Sequence, residues 1–243
     1  MNLIPKGLGS AIFAAFAAIL LAGSSTAFAA AAGSVVYLSG TLSVKKPDGS
    51  VRILAQKSEI QNGDTLTTER ESYAQLRFAD GAQVTMKPNA SIKIENVKYA
   101  EDQPQEDSFV FGLVKGGLRT LTGLVGKRSQ NKVEISTGAA TIGIRGTAFT
   151  VDDCSRSDDR EECARLAPGV YLNVADGQII VRNEAGEEVY SAGQFGLVQQ
   201  GGKPAFLPID PGLKFVPPAT FRSVVARGGA AVNIGRDMEC VVR

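Results

Sequence analysis

The sequence predicts an all-β domain built from many short antiparallel strands, solenoid-like or sandwich-like. Three observations carry that expectation. Short β-branched runs recur between glycine and Asp-Gly turns. No long segment repeats its apolar residues every 3.6 positions. Glycine reaches 27 of 243 residues while tryptophan is absent, which is a turn-rich composition.

Taken in order, Val35-Val36-Tyr37-Leu38, Thr41-Leu42-Ser43-Val44 and Val51-Arg52-Ile53-Leu54 read as strands separated by Gly40 and by the turn Pro47-Asp48-Gly49. Ala74-Gln75-Leu76-Arg77-Phe78 alternates with period two. Asp80-Gly81 then turns the chain into Gln83-Val84-Thr85-Met86, a hairpin. Ser91-Ile92-Lys93-Ile94-Glu95 alternates again. One short helix is expected near residues 221–226. The chain also echoes itself. Gly40-x-Leu42-x-Val44 reaches Gly49 nine residues after Gly40, and Gly177-x-Ile179-x-Val181 reaches Gly186 at the same offset. Each copy follows an aromatic-aliphatic run and precedes a Gly-polar step, Gly63-Asp64 or Gly193-Gln194. Two related β-units around a distinct middle, or a coincidence of glycine spacing, account for this.

Residues 1–29 read as a signal peptide. Lys6 is their one charge, residues 11–22 are apolar, and Ala27-Phe28-Ala29 offers a small-x-small cleavage site. An apolar run of about 12 residues is shorter than the roughly 20 that span a bilayer. The expected organisation is therefore a signal peptide at 1–29, a β-domain at 30–208 and a C-terminal tail at 209–243. The mature protein is expected to be periplasmic or secreted, with no stable membrane span after cleavage.

Charge and composition exclude several functions. Lys and Arg number 26 against 25 Asp and Glu, so bulk electrostatics favour neither nucleic acid nor an anionic membrane. Histidine is absent, which removes Ser-His-Asp and Cys-His catalysis and every His-ligated metal site. No cofactor is implied. A two-carboxylate glycosidase remains conceivable in principle, but no acidic pair is marked. Export makes a disulfide between Cys154 and Cys163 the expected closure of residues 155–162. A calcium site in that acidic loop is the rival, and it lacks the EF-hand register. Cys240 has no assigned partner.

Residues 113–132 carry five bases, Lys115, Arg119, Lys127, Arg128 and Lys132, and no acid. They read either as a basic strand edge for an anionic glycan or as counter-charge to neighbouring acidic loops. Gly126-Lys127 is not a phosphate loop, because Leu121 stands where the motif needs glycine and Arg128 replaces Ser or Thr.

The run Gly143-Ile144-Arg145-Gly146-Thr147, followed by Phe149, resembles the signature of FecR-like domains. So do Gly63-Asp64-x-Leu66-x-Thr68, Leu76-x-Phe78-x-Asp80-Gly81, Ser91-x-x-Ile94, Gly116-Gly117-Leu118-Arg119 and Pro168-Gly169-Val170-Tyr171. The likeness runs over residues 33–198. It implies a periplasmic β-domain like that of membrane-spanning sigma-factor regulators. This chain is most similar to the exported stand-alone form, and the anti-sigma activity is not carried over. Within the motif, Ile142 and Ile144 should face one side of a strand and Arg145 the other, as an internal clamp on backbone carbonyls or as a ligand contact. Gly143 and Gly146 should provide positive φ or close backbone approach.

The resulting expectation is a non-enzymatic module that binds or scaffolds in the cell envelope, with an envelope protein as partner and an anionic glycan as the alternative. Self-assembly through β-edges and the tail is the competing structural function.

Overall fold

The computed structural model describes residues 31–156, 161–213, 215–218 and 221, with the backbone of 224–227 and 230–233. Residues 1–29, expected to be a signal peptide, and Cys240 lie outside the described residues. The element order is β1 (Gly33–Ser39), β2 (Leu42–Lys45), β3 (Val51–Leu54), β4 (Glu59–Ile60), β5 (Thr65–Thr68), β6 (Tyr73–Phe78), β7 (Gln83–Met86), β8 (Ser91–Lys98) and β9 (Ser108–Leu121). A short helix, α1 (Leu124–Arg128), precedes β10 (Val133–Ser136), β11 (Thr141–Asp153), β12 (Val170–Asn183), β13 (Gly186–Ser191), β14 (Phe195–Val198) and β15 (Ala205–Leu207). A two-stranded pair, β16 (Val224–Arg227) and β17 (Ala230–Asn233), lies off the main sheet.

The main sheet is open, and three long strands, β9, β11 and β12, each serve two stretches of it. One layer runs β15-β14-β12-β11-β9-β7-β6-β1-β4. The other runs β13-β12-β11-β10-β9-β8-β5-β2-β3. The strands change layer at Gly116, Gly146 and Gly177, all with positive φ (84°, 64° and 75°). The β11–β12 register shifts between Arg145 and Ala148, so the ladder bends there through a bulge.

Gly177 shows why glycine is needed at the bend. A Cβ on it would lie 2.5 Å from the Gly146 carbonyl oxygen and 2.7 Å from Thr147 Cγ2. The sequence echo has a structural basis. Gly40 joins β1 of the first layer to β2 of the second, Gly177 does the same within β12, and the following hairpins supply β3 and β13, the two edges of the second layer.

Alternation places Val35, Leu76, Leu118, Phe149 and Leu172 from the first layer, and Leu42, Ile92, Phe111, Ile142 and Ile179 from the second, in one shared core. Phe109 packs edge-on between Phe78 and Phe111, at 4.9 and 5.7 Å between centroids, and stitches the layers together.

Two expectations are corrected. The β9–β10 pair is parallel, because α1 and a 3-10 turn at Gln130–Lys132 carry the chain back beside the start of β9. Helix forms at Leu124–Arg128, while residues 224–227 are strand, consistent with β-branched Val224 and Val225. No side chain of its own caps α1. Instead the buried Asp80 carboxylate accepts from Val125 N–H (3.2 Å) and Ala82 N–H (3.0 Å), so the β6–β7 turn holds the helix start.

The expected disulfide joins Cys154 and Cys163. Inside that region Asp152 and Glu162 share Lys87, at 2.9 and 3.4 Å, so an internal ammonium answers the acidic loop. Among the described residues no group of three or more His, Cys, Asp or Glu is placed to hold a metal ion. Two described tail residues pack back on the domain. Leu213 joins Tyr171 and the disulfide, and Phe221 meets Tyr37 and Tyr73 at 5.8 and 6.3 Å. No helix among the described residues is long and apolar enough to cross a membrane.

Three glycine substitutions grade the corner by denaturant unfolding. Gly177→Ala should cost about 3 kcal/mol, from positive φ plus the backbone clash. Gly146→Ala, with open space around it, should cost about 1–2 kcal/mol. Gly143→Ala should stay within about 0.5 kcal/mol. Equal losses at all three would overturn the corner assignment. In the same assay, Cys154→Ser with Cys163→Ser should remove about 2–3 kcal/mol.

Candidate recognition cleft

The motif strand β11 presents its two faces as its alternation predicts. Ile142 and Ile144 are buried, and Arg145 points to solvent. On the neighbouring strand β12, Ile179 and Val181 are buried while Ile180 and Arg182 face outward. The ladder sets Arg145 opposite Gln178, Gly143 opposite Ile180, and Thr141 opposite Arg182. Arg145 and Arg182 therefore stand four residues apart in register, about 13 Å along the strands, with Gly143 and Ile180 between them.

Segment 127–131 walls one side and brings in Lys127, Gln130 and Asn131, enclosing an open cleft of about 590 Å³. Gly143 forms the floor, and the Arg182 guanidinium leans over it, with Nη2 3.9 Å from where a Cβ would sit. Neither positive φ nor close backbone approach explains Gly143. Its missing side chain leaves the floor low.

Arg145 is not an internal clamp. It is exposed and makes no hydrogen bond or ion pair among the described residues. The same holds for Lys127 and Arg182. Clamping falls to Arg128, which also lines the cleft. Its Nε and Nη2 donate to the two oxygens of Asp107 at 2.8 and 2.9 Å. Its Nη1 and Nη2 donate to the Glu101 and Ala100 carbonyls at 2.9 and 2.7 Å, and its guanidinium lies 4.6 Å from the Tyr99 ring centroid. The reading of these bases as counter-charge to an acidic loop holds for Arg128.

The five bases of residues 113–132 do not make one edge. β9 is an interior strand, flanked by β8 and β7 on one side and by β10 and β11 on the other. Lys115 is exposed at the β9 corner beside β8. Arg119 is buried on the outer face of the first layer beneath Phe215, 5.7 Å from its ring centroid, and burial depresses its pKa. Lys132 is exposed in the turn before β10. Only Lys127 and Arg128 reach the cleft.

Thr147 serves the corner rather than the cleft. Its N–H donates to Thr122 Oγ1 (2.9 Å), and its carbonyl accepts from that hydroxyl (2.7 Å). Arg182 escaped the sequence reading. Alternation over residues 178–182 puts it outward, yet nothing local shows that β12 lies beside β11.

Four cations, Lys127, Arg128, Arg145 and Arg182, line the cleft. Guanidinium forks and an ammonium suit carboxylate or phosphate oxygens. The Ser129 hydroxyl already donates to the Pro104 carbonyl and Asp107, both at 3.3 Å.

Residues 64–179 match the model of the FecR protein family, and the chain carries a FecR domain. No curated protein matches the chain. Two crystal structures of a candidate anti-sigma factor from Parabacteroides distasonis are similar at 13% identity with a TM-score of 0.44, covering 59% of this chain and 58% of that one. This chain thus spans less than two thirds of the solved protein's length. A cell surface anchoring domain matches 27% of this chain and 87% of its own, at 24% identity and a TM-score of 0.27.

The Arg128–Asp107 pair yields a pH test. The Arg128 hydrogen bonds are the leading cause that holds the Asp107 carboxyl below its ordinary pKa. A depressed carboxylate pKa adds stability above the unfolded value, about 4, that is lost as pH falls through the folded value. Asp107→Asn should therefore lower the unfolding midpoint most at pH 7 and progressively less as pH falls below about 4, flattening the acid side of the profile. A parallel shift at every pH would show that the charge is irrelevant.

Proposed function

We propose that this FecR-domain chain is a non-catalytic binding module of the bacterial cell envelope that engages a protein partner through the cleft between Arg145 and Arg182. The observation that carries the reading is how the charged groups divide. Buried carboxylates are committed to the fold: Asp64 to the Gln61 N–H and Lys46, Asp80 to the α1 start, Asp107 to Arg128, Asp152 to Lys87. The cleft cations Lys127, Arg145 and Arg182 are committed to nothing described. Buried acids held by the fold's own backbone donors and cations support a scaffolding role for these side chains. Unpaired cations around a concavity support recognition.

Export is supported by the small-x-small site after residues 11–22 and by the disulfide. The self-assembly alternative relied on exposed β-edges and on the tail as an arm, and the packing of Leu213 and Phe221 against the domain weighs against the tail's part in it.

The test is in-cell crosslinking. A photo-crosslinker replacing Gln178, which stands opposite Arg145, should capture one specific envelope protein from cells expressing the tagged chain. The same probe at Val51, on the remote β3 edge, should not. Recovery of the chain alone, as a ladder of multimers, would replace a partner-binding role with self-assembly.

A further inference from the structure

The outer face of the first layer, on the other layer from the Arg145–Arg182 cleft, carries a row of polar side chains that the tail covers. Strand pairing sets Gln75, Thr85, Arg119, Thr150 and Asn173 side by side across β6, β7, β9, β11 and β12. Three tail residues lie over this face. Leu213 packs with Tyr171, Phe215 stands above Arg119, and Phe221 meets Tyr37 and Tyr73. Beneath them Arg119 is only 7% exposed, and Gln75 and Thr85 are also buried.

A desolvated cation ordinarily has an anion beside it, because an unpaired buried charge is strongly destabilising. Arg119 has none. It makes no hydrogen bond or ion pair among the described residues, and its Nη2 is enclosed without an acceptor. The Phe215 ring, 5.7 Å away, is near the roughly 6 Å limit of a cation–π contact. Asp152, diagonal to Arg119 across the β9–β11 ladder, is already held by Lys87 at 2.9 Å. Gln75 repeats the pattern. Its amide nitrogen donates to Gln83 and Thr85 at 3.2 and 3.4 Å, while its Oε1 is buried without a donor. The row thus offers a guanidinium flanked by two threonine hydroxyls, and an aromatic ring stands where an acceptor belongs.

We propose that this row is a second recognition site, which takes an extended peptide segment of a partner that brings a carboxylate to Arg119, and that the chain's own tail occupies it in the partner's absence. The tail already shows a peptide lying across these strands, from Tyr171 on β12 past Arg119 on β9 to Tyr73 on β6 and Tyr37 on β1. It is held weakly. Among the described residues Leu213 and Phe215 make no hydrogen bond to the sheet, and Phe215 is only half-buried. A carboxylate in place of the Phe215 ring satisfies the charge that the tail leaves unpaired. Beside the tail the same face opens into a cleft of about 940 Å³, bounded by Pro211, Gly212, Tyr73 and Lys87. Its three carboxylates and three cations balance, so an acidic segment enters there without net repulsion.

The first test uses the tail itself, in the full mature chain. Phe215→Glu and Phe215→Gln are alike in shape and both lack the ring. The glutamate variant should fold with an equilibrium constant about tenfold larger at pH 7, as pairing a buried cation does. The difference should vanish in an Arg119→Leu background and persist in part with Arg119→Lys. Equal stability of the two variants, or a difference that survives Arg119→Leu, would overturn the inference.

The second test supplies the segment in trans. The probe is a fluorescent peptide with the sequence of residues 211–221 and glutamate at the position of Phe215, read by anisotropy. It should bind the Phe215→Ala chain saturably and about tenfold more tightly than wild type, whose own tail competes. Exchanging the peptide's glutamate for glutamine should weaken binding about five- to tenfold, and should change nothing once Arg119→Leu is added. Failure to bind would overturn the site. Equal displacement by inorganic phosphate or heparin would mark a general anion site instead. A dimer of the Phe215→Ala chain that the peptide dissociates on size exclusion would make the occupant a second copy's tail, and would likewise overturn the partner segment. Neither test touches Arg145 or Arg182, so failure here leaves the reading of that cleft in place.

Discussion

Where β11 and β12 pass together from one layer to the other, there is no room for a side chain on Gly177. The Gly146 carbonyl oxygen and the Thr147 methyl group already occupy the space a Cβ would take. Two strands can bend in step only if both backbones adopt a conformation that L-residues with side chains disfavour, and only if they bend against each other without intervening atoms. The register shift between Arg145 and Ala148 is the geometric result, and the Thr122–Thr147 hydrogen bonds lock it from the β9 side. Because the same two strands bend together, each contributes to both layers. A single open sheet thereby encloses one core, as a sandwich does.

That corner also explains where the candidate site lies. Arg145 is the last residue of the second-layer ladder before the bend, so it stands at the end of an exposed strand face rather than in its middle. The β9-to-β10 connection crosses at the same level, and its return path supplies the cleft wall. A motif that reads as a backbone corner thus also aims an arginine. Gly146 serves the fold, and Arg145 beside it makes no hydrogen bond or ion pair among the described residues.

Charge shows the same division of labour. Arg128 and Lys127 are adjacent in sequence and carry the same charge, yet one is held by a carboxylate, two carbonyls and a ring while the other has no partner described. Asp107 makes the difference, because its fixed position beside the Ala100 N–H offers a planar acceptor pair that suits a guanidinium. Arg119, eight residues before Lys127, is buried under Phe215 and belongs to neither group. A run of like charges in sequence is scattered in space once its strand lies inside a sheet.

Read alone, the sequence determined the all-β class, the Asp80-Gly81 hairpin, the opposite faces taken by Ile144 and Arg145, the family resemblance and the Cys154–Cys163 pairing. All of these rest on local alternation, turn chemistry or short loop closure, which act over a few residues. The Gly40 and Gly177 echo was also legible, though not its meaning as two layer-changing corners at opposite ends of one sheet. Only the tertiary structure decided which strands are neighbours. It therefore decided the parallel β9–β10 pair, the capping of α1 by Asp80 from 45 residues away, the use of Arg128 as the clamp, and the presence of Arg182 in the cleft. The physical reason is that strand alternation states which face a side chain takes but carries no information about which strand lies beside it. Pairing is set by burial and loop closure across the whole chain.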